Sequence, residues 1–355
     1  MRKYTKKMKI MSKKKNTNNN RVTRRIIGIE ILRMFLCFRI VLLHYYSLNN
    51  KYILKLKNNN YQVPCFFFIS FYFLYSTISN INIDKMKLRL ERLLIPYIIY
   101  PIIVWIVNNL MFKIIKFNRF NSLLSIKELI IHLIIGKGIF GIGVLWFHFN
   151  LLILTLLFFI SSYFMKNYFL FIFQILALFS YIMQYSNTNF NFFNNYKLII
   201  WMSVGNLVET FPIAITSFSL ASTNFLQWIS ANKIKYIFLS SFFLYLIFEY
   251  NIFSPLKGYS SRGIKQIIIS FFLFTMFFIS PFEKLNSKVL VVFSIITKFT
   301  QGIYCLHFLI LYYIKLKFDE KGTFLGCIFL YIISYTFSFL GYKIFAKTKL
   351  KYLFN

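Results

Sequence analysis

The stretch ILRMFLCFRIVLLHYY, residues 31–46, has the apolar content of a membrane span, yet it holds Arg33, Arg39 and His44. A charge at the centre of a span costs about 2.5–3.5 kcal/mol on insertion scales, so it faces a bundle interior or a watery cavity. Arg33 and His44 are eleven residues apart, three turns plus a small remainder, and therefore share one helix face about 16 Å apart along the axis. Glu30 precedes Arg33 at the i,i+3 spacing that lets a carboxylate meet a guanidinium. Arg39 falls on a different face and is read as a local partner of another span. Arg33 alone is equally compatible with snorkelling to the interface. His44 adds an imidazole, whose titration range suits base chemistry near neutral pH.

The rest of the chain sets that helix in context. Of 355 residues, 58% are hydrophobic and 21% aromatic. They come in blocks of about 17–25, the length that crosses roughly 30 Å of hydrocarbon as a helix. The chain is expected to be an all-α polytopic membrane protein. The formal net charge of +33 would in a soluble protein point to nucleic acid. Here Lys, Asn, Ile, Phe and Tyr dominate, all with AT-rich codons, and zinc-like clusters or RNA-binding signatures are missing, so nucleic acid is not expected as a partner. Cys37, Cys65, Cys305 and Cys327 are scattered among different spans without Cys-x-x-Cys spacing. They read as packing residues, with no metal site predicted.

Residues 1–25 form a basic tail with 11 Lys/Arg and no acid; it resembles a signal-peptide n-region, but the apolar segment that follows is too long and too polar for one. Ten spans are expected near 26–48, 61–79, 93–112, 144–164, 168–185, 197–219, 236–250, 266–282, 301–316 and 324–345. The seventh is the shortest. The domain reading is a disordered cytoplasmic tail over 1–25, one membrane domain over 26–345 and a short basic cytoplasmic tail over 346–355. With both termini inside, the inner segments hold the larger share of Lys/Arg, nearly half of it in the first tail, as the positive-inside rule requires.

Other polar residues stand out against this apolar background. KMKLRLERLLIPY, residues 85–97, places Arg89 and Arg92 three apart on one face. The spacing fits a positive stop signal, and equally a clamp in which two guanidiniums grip a diphosphate or nucleotide 3′-phosphate. Glu209, within WMSVGNLVETFPIA, lies mid-span, where a carboxylate must pair, protonate or face a cavity. Arg39 and His44 are candidate partners. His148 in LWFHF and His307 in GIYCLHFLI each read as core residues holding one hydrogen bond.

Together these motifs resemble the integral-membrane acyltransferase 3 family. IEILRMFLCFRIVLLH is similar to that family's opening span, in which an Arg or Lys is followed eleven residues later by His, with an acid three before the Arg. Arg33, His44 and Glu30 fill those positions. VPCFFFISFYFLYS, residues 63–76, resembles the second-span run, with Phe71 after Ser70 where the family usually has Gly. Arg89 and Arg92, followed by Pro96, match its Arg-x-x-Arg. LWFHFNLLIL, residues 145–154, and GIYCLHFLIL, residues 302–311, resemble its Leu-Trp-Phe and Ile-Tyr-x-x-His segments. The match runs in order over about 26–311.

The resemblance implies transfer of an acyl group, most often acetyl, from cytoplasmic acyl-CoA to a hydroxyl of a cell-surface glycan or its lipid-linked precursor, in the bacterial inner membrane. Arg89 and Arg92 would hold the phosphates of the acetyl-CoA donor. Arg33, supported by Glu30, would help orient the pantetheine end or the thioester, and His44 would act as base or acyl relay. Ser70, Trp146, Glu209 and His307 are taken as substrate-binding positions. The residues also leave open a transporter or flippase of a lipid-linked glycan, and a relative without catalysis.

Overall fold

The structure is a computed structural model that describes residues 27–45, 61–79, 82–115, 125–136, 145–165, 168–186, 199–223, 225–232, 262–279, 287–314 and 324–354, together with Ser241. The expected tail over 1–25 and the expected span over 236–250 lie outside these residues, apart from Ser241. The described residues form helices throughout, with no strand among them. In chain order these are α1 (27–45), α2 (Gln62–Ile78), α3 (Ile83–Ile115), α4 (Ile126–Ile135), α5 (Leu145–Met165), α6 (Phe169–Ser186), α7 (Ile199–Ser222), α8 (Phe225–Ala231), α9 (Arg262–Ile279), α10 (Ser287–Thr297), α11 (Thr300–Ile314) and α12 (Phe324–Ile344).

By length and composition three segments can each cross a membrane: Ile83–Val107, Trp146–Met165 and Phe324–Ile344. A fourth is formed if Lys288–Thr297 and Thr300–Leu311, bent by 43°, count as one broken span. Shorter apolar helices over Gln62–Ile78, Phe169–Ser180, Leu207–Ser222 and Ile267–Ile279 accompany them. Large apolar side chains point outward, such as Phe171, Leu178 and Phe179 on α6 and Phe329, Ile332 and Phe337 on α12. Ser217, Thr275, Ser334 and Ser338 are buried. That inversion suits a hydrocarbon solvent, which rewards apolar exposure and penalises unsatisfied polar groups.

The centre of the bundle is α2, which contacts α7, α9, α5 and α3. Three of its rings each meet a different neighbour. Phe68 lies 5.2 Å from Phe274 of α9, Phe71 lies 5.0 Å from Phe158 of α5, and Tyr75 lies 5.2 Å from Phe218 of α7. The Ser217 hydroxyl donates to the Phe68 carbonyl and ties α7 to the same turn. Phe71 is fully buried, so α2 and α5 meet through interdigitated rings here rather than by close backbone approach. A glycine at this position would permit that approach.

Helix α3 starts ten residues before the span expected over 93–112, so Arg89 and Arg92 belong to one continuous helix with the apolar segment. Its Pro96 and Pro101 lie inside the helix, an arrangement membrane helices tolerate because neighbours re-satisfy the freed carbonyls. At the end of α4, Gly136 takes φ +72° against the Phe149 ring. A side chain there would meet both a left-handed backbone penalty and that ring.

Helices α11 and α12 pair with each other, and a 3₁₀ turn over Lys349–Leu353 folds back onto α3 and α12. Tyr352 and Leu353 are buried. The Tyr100 hydroxyl donates to the Leu353 carbonyl at 2.6 Å, and Lys349 pairs with Glu91 at 2.6 Å.

Candidate active site

Two polar centres lie at different depths along α1. The first gathers Glu30, Arg33, Ser70 and Arg89. Glu30 and Arg33 form the expected i,i+3 ion pair at 2.9 Å. Helix α3 brings Arg89 alongside α2, where its guanidinium donates to the Ser70 hydroxyl at 2.6 Å and to the Ser70 carbonyl at 3.2 Å. Arg33 lies near enough to Arg89 for the two cations to repel. The Arg89 Nε–H is buried and meets no acceptor among the described residues. Two cations with one carboxylate between them leave this centre electropositive. A buried charge costs several kcal/mol unless it is paired, so the site is built for an anionic or strongly polar guest.

Arg92 takes another direction from Arg89, although the two share a helix face. Its guanidinium lies 5.5 Å from the Tyr352 ring centroid, and its backbone carbonyl accepts from the Gln301 amide at 3.3 Å. Arg92 itself is exposed. The pair therefore occupies two stations, Arg89 inside the bundle and Arg92 at its surface beside the C-terminal turn.

The second centre surrounds His44. Helices α1 and α11 run parallel: the Cys37 thiol lies 3.5 Å from the Thr300 carbonyl, and seven residues further along each helix His44 meets His307. The imidazole centroids are 5.5 Å apart with a 33° tilt. His307 is fully buried, whereas His44 is exposed. His307 Nδ1 lies 3.1 Å from the Ile303 carbonyl. Tyr304 continues the row, with its ring 6.1 Å from His307 and 6.0 Å from His148 of α5. Behind His44, the Tyr45 hydroxyl occupies the space a Cβ on Gly326 would need. That glycine lets α12 close against the end of α1.

The remaining candidates fall outside these two centres. Trp146 packs against Phe67 of α2 with ring centroids 6.3 Å apart. Glu209 is exposed on α7. Arg39 meets Tyr61, both through the phenol oxygen and with its guanidinium 4.1 Å above the ring, the cross-helix partnership its off-face position suggests. Sequence reasoning did not single out Gln62 or Asn150. Gln62 and Asn150 are 1% exposed, and their amides meet no partner among the described residues. An Asn inside the apolar run LWFHFNLLIL was the available signal, because a buried amide in a span marks a functional position. Among the described residues no group of three His, Cys, Asp or Glu could hold a metal.

A family model described as an acyltransferase domain matches residues 26–343. No curated protein and no solved structure matches the chain.

Proposed function

The chain belongs to the acyltransferase 3 family, and from that premise we propose that this integral membrane acyltransferase moves an acetyl group from cytoplasmic acetyl-CoA to a hydroxyl of a cell-surface glycan or its lipid-linked precursor. The observation that carries the reading is the half-buried Arg89 guanidinium, held by Ser70 beside the Arg33–Glu30 pair. An acyl-CoA brings phosphates and a pantetheine arm with amide carbonyls, which match two stations of positive charge. On this reading Arg92, at the surface, meets the donor phosphates. Arg89 and Arg33, deeper, hold the donor's pantetheine arm, whose thioester end extends along α1 to His44. Guanidiniums suit both tasks because their planar donors grip oxyanions and carbonyl oxygens in fixed geometry.

His44 takes the proton of the acceptor hydroxyl as that oxygen attacks the thioester carbonyl. The new carbon–oxygen bond forms, the carbon–sulfur bond breaks, and the departing thiolate of CoA receives the proton from His44. About 16 Å along α1 separates Arg33 from His44, so the donor lies lengthwise, entering from the end of the bundle where α1 begins. A ten-span arrangement in the bacterial inner membrane with both termini cytoplasmic would put that end on the acyl-CoA side and His44 toward the glycan. Trp146 and Glu209 remain proposed substrate contacts.

The test is transfer of radiolabel from acetyl-CoA by protein in lipid nanodiscs, with a lipid-linked glycan extract as acceptor. General-base catalysis contributes about 10²–10⁴-fold, so His44→Ala is expected to lose activity on that scale while the protein stays folded in the membrane. Near-wild-type transfer by His44→Ala refutes the base assignment. Transport of the glycan without any acetyl transfer would favour a flippase.

A further inference from the structure

The basic stretch KTKLKYLF, residues 347–354, folds onto the bundle through its 3₁₀ turn. Thr348 caps the turn by accepting from the Leu350 N–H, Tyr352 and Leu353 are buried, and the Tyr100 hydroxyl holds the Leu353 carbonyl at 2.6 Å. Lys351 is therefore carried on a fixed backbone, with its Nζ 5.6 Å from the Tyr352 ring centroid. The Arg92 guanidinium of α3 lies 5.5 Å from the same centroid, so two cations from distant parts of the chain share one ring. A second ring continues the row. Lys298, in the break between α10 and α11, has its Nζ 3.9 Å from the ring centroid of Tyr342 on α12. Lys343 and Lys351 lie close enough to act on the same phenol.

Lys349 is paired with Glu91, whereas Arg92, Lys298, Lys343 and Lys351 make no ion pair among the described residues. An aromatic face attracts a cation through its quadrupole but adds no negative charge. The rings thus order these side chains while leaving their charge uncompensated, and like charges gathered in this way repel one another unless an anion sits among them. We propose that Lys351 and Lys298 complete, with Arg92, the site for the phosphates of the acyl donor's nucleotide. The inference rests on the reading of acetyl-CoA as the donor. Its nucleotide carries a 5′-diphosphate and a 3′-phosphate, more negative charge than one guanidinium can meet. Arg92 offers a planar fork of donors, and each lysine offers a compact charge with three N–H donors. Arg89 lies about one turn before Arg92 on α3, so a donor held at this row can pass its pantetheine arm from the C-terminal turn to the bundle interior.

The experiment reads acetyl transfer to the lipid-linked glycan extract from three donors: acetyl-CoA, acetyl-dephospho-CoA without the 3′-phosphate, and S-acetylpantetheine without any phosphate. It is run in nanodiscs of phosphatidylcholine alone and with phosphatidylglycerol added. Lys351→Met and Lys298→Met are each expected to raise KM for acetyl-CoA roughly tenfold, the scale of one charge-assisted contact. Their kcat, and their kcat/KM for S-acetylpantetheine, should stay at the wild-type values. Lys351→Arg keeps the charge and should stay near wild type, as should Lys347→Met, which removes an exposed lysine outside the row. Added salt should raise KM for acetyl-CoA more in the wild type than in the Met variants. Should Lys351→Met fail to fold, Lys298→Met carries the comparison. Equal losses with acetyl-CoA and S-acetylpantetheine, or an unchanged KM for acetyl-CoA, overturn the proposal alone. A loss confined to nanodiscs with phosphatidylglycerol and equal for all three donors also overturns it, and assigns the lysines to a lipid headgroup. A folded wild-type protein that transfers acetyl from none of the donors overturns the donor reading beneath it.

Discussion

Replacing Arg89 with Met separates a binding role from a structural one, because the two predict opposite changes in stability. Arg89 gives up water for two hydrogen bonds to Ser70, at 2.6 and 3.2 Å. Bonds made by a charged group contribute about 1.5–3 kcal/mol each. Against them stand a desolvation penalty of several kcal/mol for a buried ion, the buried Nε–H without an acceptor and repulsion from Arg33. The terms nearly cancel, and Met fills the same volume without the charge. Arg89→Met is therefore expected to melt at or slightly above the wild-type temperature. Acetyl-CoA binding should behave otherwise. Loss of one charge-assisted contact to the donor, about 3 kcal/mol, amounts to roughly 10²-fold in affinity at 1.4 kcal/mol per tenfold. Thermal unfolding and titration calorimetry on the same nanodisc preparation measure both quantities. A variant that melts several degrees lower yet binds acetyl-CoA with unchanged affinity refutes the argument, and makes Arg89 a strut between α2 and α3.

Further outcomes follow from the packing. Phe71→Ala empties a fully buried site between Phe67 and Phe158 and should cost about 3–5 kcal/mol, read as a lowered melting temperature. An unchanged one would mean that α2 and α5 can close the gap. Gly302→Ala puts a methyl 2.6 Å from the Ser338 hydroxyl and 2.9 Å from the Phe354 backbone. Overpacking of about 1–3 kcal/mol should loosen the C-terminal turn, and faster proteolysis after residue 345 than in the wild type is the readout.

Much of the site was legible wherever the relevant spacing was local. The Glu30–Arg33 pair and the shared face of Arg33 and His44 are set by helix periodicity, and both residues sit on one helix as that periodicity requires. The direction of Arg92 was not legible. The i,i+3 rule puts it beside Arg89, but these side chains are long, and each follows the nearest acceptor or ring. Ser70 on the preceding helix takes one, while Tyr352 near the chain's end takes the other.

The sequence by itself determined that the chain is helical and apolar, which family it belongs to, and which few polar residues are too costly in lipid to lack a purpose. Those properties depend on composition and short spacings, which survive without knowledge of the neighbours. Only the tertiary structure decided which distant residues meet. His44 faces His307, 263 residues away, because α1 and α11 lie parallel and in register. Arg89 reaches Ser70 because the short link after α2 folds α3 back along it. The C-terminal turn closes over Arg92 because Gly302 and Gly341 leave room for Phe354. Such meetings depend on how whole helices pack, and no single helix encodes them.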